Sequence, residues 1–406
     1  MVMFLLSRRT DRMLWTADGG YPSGRIIFSP DGEIVVSHGQ TIRLIDPSGK
    51  SRLLCEDRAN LMPIASAGKQ GFVAVRYAIG SSETSLIDWD GKEQWTFPMA
   101  ALDAQVTSGG MIYFFGSDTN FYALRPDGSV GWKIPVETKS PWLQMAVGHD
   151  ESVVLSTGAS DRLMALEKDG SVRWIAEPTE GGKLGEIVRD SEGGLIIAGS
   201  DRLRSLSPQG KERWRISFPL DIPTQDGSKR MISRARGIFG LAVDRRSNIY
   251  CHSYDGLVYV LDEQGKYRWS YPRGNAGFGP NWIAFTESGD AIFGTGEYRH
   301  IASVATPGPA GGRFLSPSAE FNRHLVCLSP DGQLRWEVAV AGELNWFWPK
   351  SKIDMNYLWA ARFGLAELNP VRSPFVGTNG VIYFARNAFN RGTAKIYAIR
   401  GDEPKH

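Results

Sequence analysis

The run "GEYRHI" sets Tyr298, Arg299 and His300 side by side. A phenol or an imidazole can take a proton from carbon next to a carboxylate, and a guanidinium can neutralise that carboxylate as charge develops. The trio therefore suits lyase-type proton abstraction on an acidic carbohydrate, with Tyr298 or His300 as base and Arg299 on the acid group. A second group follows in "AGELNWFWPKSKIDMNYLWAARF", where Trp346 and Trp348 stand close to Arg362. Flat rings beside cations suit an anionic ligand or a protein partner, through charge-assisted hydrogen bonds, stacking and cation–π contact. Arg299, His300, Trp346, Trp348 and Arg362 are thus the candidate ligand-binding residues, and Tyr298, Arg299 and His300 the candidate catalytic ones. The plainer alternatives are that the tryptophans glue a surface segment down and that the arginines form a solvated rim.

Other chemistries find no matching pattern. The histidines, His38, His149, His252, His300, His324 and His406, show no ligand spacing, and no CxxC occurs, so no metal site is expected. There is no GxSxG, phosphate-binding loop or dinucleotide-binding glycine run. Cys55, Cys251 and Cys327 lie far apart, which fits reduced thiols rather than a disulfide framework. Lys+Arg 46 against Asp+Glu 44 leaves a formal charge of +2, so no nucleic-acid partner is expected. The opening "MVMFLLSRRTDR" has too short an apolar run, with its arginines on the wrong side, to read as a signal peptide. No stretch is long enough to span a bilayer. The expectation is a soluble, monomeric, cytoplasmic protein, periplasmic or secreted if the true start lies upstream.

The elements that must hold these residues come from a repeat. Aligned on glycine, "LIDWDGKEQW", "ALRPDGSVGW", "ALEKDGSVRW", "SLSPQGKERW", "VLDEQGKYRW" and "CLSPDGQLRW" each end in tryptophan: Trp95, Trp132, Trp174, Trp214, Trp269 and Trp336. "LIDPSGKSRLL" puts Leu53 in the tryptophan place, and "YAIRGD" adds an eighth glycine, Gly401. In each copy a short β run meets a tight turn whose glycine supplies positive φ, and an alternating run follows into the tryptophan. Upstream stands a second strand pair, as in "TSGGMIYFFG" and "DSEGGLIIAG". Four antiparallel strands, A to D, recurring about every 40 residues describe a β-propeller blade, with the tryptophans packing between blades. The last copy lacks strand D, while "RMLWTAD" carries an orphan, Trp15, ahead of the first strand A. The expectation is an all-β, eight-bladed propeller over residues 1–406, closed by the N-terminal strand joining the C-terminal blade. A seven-bladed ring with one decorative hairpin is the alternative.

The "ALxxDGxxxW" signature resembles the quinoprotein-like, or PQQ-like, propellers across nearly the whole chain. That family includes quinone-cofactor dehydrogenases and BamB-type outer-membrane assembly lipoproteins. The resemblance implies the fold; this fold hosts many activities. The vicinal cysteine pair that the alcohol-dehydrogenase branch places over its quinone is missing, as is a recognisable calcium set. No cofactor is therefore expected, and a quinone-dependent dehydrogenase is the least favoured reading.

Three segments break the spacing: 219–236, 294–323 and 341–372. They read as a D–A loop, a B–C loop and another D–A loop, which in an A-B-C-D blade all fall on one face. "DMNYLWAARFGLAEL" within the third has the apolar spacing of a short helix. Function in repeat proteins gathers in such insertions. The expected activity is that of a binding or scaffolding module for a protein or an anionic ligand on this decorated face. The alternative is an enzyme acting on an acidic carbohydrate there.

Overall fold

Strand propensity and turn chemistry alternate along the chain as the repeat requires. In the unit built from Ala101–Val106, Ile112–Gly116, Asn120–Leu124 and Val130–Pro135, the strands pair antiparallel in chain order. The two middle strands, rich in aromatic and β-branched residues, are buried almost throughout, and the last alternates between exposed and half-buried. Its C–D turn is a five-residue loop rather than a two-residue one. Gly128 N–H donates to the Arg125 carbonyl at 2.9 Å, Arg125 N–H to the Ser129 carbonyl at 2.8 Å, and Gly128 holds φ at 81°. Asp127 tightens the loop by accepting from Ser129 N–H at 2.9 Å.

The computed structural model describes residues 12–20, 27–78, 81–136, 144–156, 162–176, 184–199, 202–217, 238–253, 256–272, 283–307, 313–339, 372–377, 379–387 and 394–401. These form six four-stranded sheets and one eight-stranded sheet. The larger sheet is two four-strand groups that touch through a single parallel pairing, Gly20 with Ser37. One group runs from Ile27–Phe28 to Ser51–Glu56. In the other, Met13–Gly20 pairs antiparallel with Ala394–Arg400, setting Trp15 opposite Ala398. The N-terminal strand therefore supplies strand D of the C-terminal group, as the orphan tryptophan predicts. Counting each group as a unit, the first begins at Ile27 and the last at Arg372.

The core lies between units rather than within them. Val75 and Leu86 join Ala104, Ile112, Phe114 and Leu124 across the second and third units. Similar clusters follow at each later step, and one joins Tyr383, Ile396 and Ala398 of the last unit to Ile34, Val36 and Ile45 of the first. Each sheet buries both faces against its neighbours, which explains why its B and C strands read as continuous apolar runs.

Two expectations are corrected. The 294–323 segment is not a loop across its length: Ala291–Pro307 and Arg313–Leu328 are paired strands throughout. Their neighbours are much shorter, Ile283–Phe285 on one side and Leu334–Ala339 on the other, so the pair runs on past its sheet as a two-stranded arm. Gly401 does not hold the turn-glycine position either. It takes the Pro126 position, since its carbonyl receives the Trp336 indole as the Pro126 carbonyl receives that of Trp95. The insertions at 219–236 and 341–372, the latter save its last residue, lie outside the described residues, with the helix read into the latter.

Candidate functional site

The repeat motif is read at its two ends by different units. Each strand-D indole N–H donates to a carbonyl in the next unit's C–D turn: Trp95 to Pro126 at 3.0 Å, Trp132 to Lys168 at 2.8 Å, Trp174 to Pro208 at 2.9 Å. Trp214 and Trp269 do the same to Glu263 and Pro330, and Trp15 reaches Pro47 of the first unit at 2.8 Å. The ring lies on the turn glycine itself. A Cβ added at Gly128 would stand 2.6 Å from the Trp95 ring, and one at Gly210 2.6 Å from that of Trp174. The glycine thus serves positive φ and close approach at once. These tryptophans are interblade packing residues.

One seam differs. Leu53 is 46% exposed and fills no such place. Trp89, at the Pro126 position of the second unit, packs against the same apolar cluster as Leu54 and Cys55, but its indole N–H donates within its own unit, to the Gly68 carbonyl at 2.8 Å. Polar contacts add to this seam: Arg76, only 12% exposed, donates to Asp57 at 2.8 Å and also contacts Glu83 and Glu93. Burial pushes the Cys55 thiol up to about 11, so it is no nucleophile at neutral pH.

A second pattern escaped the sequence reading. The residue before each tryptophan sits in a β-bulge, as the register jump from Leu166–Val172 to Ala165–Trp174 shows for Arg173. A bulge re-aims its side chain. Arg173 turns back to Asp150 at 2.8 Å, Arg213 to Asp190, Arg268 to Asn248, and Arg335 to Asp290. Each ties its own C–D hairpin to its own A–B turn. The "RW" dipeptide was the signal that could have found it.

Two A–B turns carry a non-glycine residue at positive φ, Glu151 at 61° and Ser247 at 61°. Both reach the preceding unit's A–B turn, Glu151 accepting from Gly109 N–H at 3.0 Å and Ser247 meeting the Ser191 hydroxyl. The strain of each is offset by a bond between units.

On the innermost strands, Glu186 accepts from Leu241 N–H of the next unit at 2.7 Å. Burial pushes its carboxyl up to about 7, only partly opposed by that bond. Gln105 spans the gap between the third and fourth units in a similar manner, donating to the Met145 carbonyl at 3.2 Å. Among the described residues no cluster of three His, Cys, Asp or Glu could hold a metal, and no helix is long and apolar enough to cross a membrane.

Of the candidate site residues, Tyr298, Arg299 and His300 fall on the arm, in register with Phe321, Glu320 and Ala319. Trp346, Trp348 and Arg362 lie outside the described residues.

Residues 4–201 match the family described as outer membrane protein assembly factor BamB. No curated protein matches the sequence. Among solved structures, BamB from Moraxella catarrhalis is similar with a TM-score of 0.56 at 12% identity, covering 95% of this chain and 98% of that one. A streptogramin B lyase is similar with a TM-score of 0.50 at 14% identity, covering 95% and 98%. At such identities the likeness is one of fold, and the two names belong to different functional classes. By the match over residues 4–201 and by its four-strand units, the chain is a β-propeller with a PQQ-like repeat fold, resembling the BamB type.

Proposed function

We propose that the chain is an eight-bladed propeller ring that works as a binding or scaffolding module for a protein partner, docking on the face that carries its insertions. The ring reading is supported by the Met13–Gly20 strand, by the Trp15 bond to Pro47, and by the apolar cluster that joins last unit to first. The binding reading is supported chiefly by the arm. Arg299 and His300 stand on a ribbon that outruns its sheet, which offers surface to a partner rather than walls to a small substrate. The match to an assembly factor points the same way. The face would combine Arg299 and His300 with Trp346, Trp348 and Arg362. Three free thiols, two of them buried, support a reducing compartment.

The test is capture of partners from native lysate by the parent, by Arg299→Ala with Arg362→Ala, and by a variant in which residues 296–323 are replaced by a short turn. Removing one buried charge-assisted hydrogen bond should weaken binding by about 1–3 kcal/mol, and the shortened variant should lose the partner while its melting temperature holds. Retention of every parental partner by all three folded proteins would move the binding surface off this face.

A further inference from the structure

We draw no further inference here: the strongest candidate, the two-stranded arm that Ala291–Pro307 and Arg313–Leu328 extend beyond their sheet, leaves backbone edges without a third strand among the described residues, but nothing in the structure shows what covers them.

Discussion

Glu186 shows how one side chain can set a pH response. Its carboxyl is raised from the ordinary 4.5 to about 7 by burial. Below pH 4.5 both folded and unfolded forms hold the proton, and the group costs nothing. As pH rises from 4.5 towards 7 the unfolded chain ionises first, so folding stability falls; above 7 the loss is complete. Glu186→Gln keeps an oxygen for Leu241 N–H and removes the charge. It should melt like the parent near pH 4.5 and be more stable near pH 8, by about 1–2 kcal/mol after allowing for partial solvation. Thermal melts across that range check it, and parallel curves would mean that Glu186 ionises freely. At this scale the sequence was least informative. Glu186 stands in "GGKLGEIVRD" with nothing to mark it, because its environment comes from a strand more than 50 residues away. Tyr298, Arg299 and His300 were legible as neighbours, but the strand that carries them was not.

For the strand-D hairpin, the two halves of "RW" should contribute very differently. Arg173 bridges Asp150 and Glu167 near the surface, and such exposed pairs are worth little. Trp174 packs between two units and closes a hydrogen bond across them. Arg173→Ala should cost less than about 1 kcal/mol, whereas Trp174→Ala should cost about 3–5 kcal/mol. Gly210→Ala should approach the larger value, since it meets the Trp174 ring and a φ of 77° together. Denaturant midpoints of the three variants test this; equal losses would contradict the division of labour. Strands and turns were legible because alternation and glycine spacing are local. What each end of the motif touches was not, because its partner is always the next copy. The arm was hidden for a related reason. Gly294 and Gly296 interrupt its first strand, and glycine within a strand looks like a loop until the pairing is known.

Across the whole molecule, the proposed ring rests on the N-terminal strand, which completes the last unit. Without it, the last unit would keep three strands, with Ala394–Arg400 as an open edge. The cluster of Tyr383, Ile396 and Ala398 would lose the cover of Trp15 and Ala17. Arg12 lies over the Trp336 ring at 5.0 Å, so this terminus also braces the seventh unit. Removing residues 1–18 should therefore cost several kcal/mol, roughly that of losing one packed tryptophan plus a strand ladder. The exposed edge should promote association between copies. Trp15→Ala separates the two contributions: it removes the indole bond to Pro47 but leaves the ladder, so it should lower the melting temperature without causing association. Melting and sedimentation of both variants provide the measurement. A truncated protein that melts like the parent and stays monodisperse would mean that the strand adds nothing to closure, and the proposed eight-bladed ring would give way to the seven-bladed alternative.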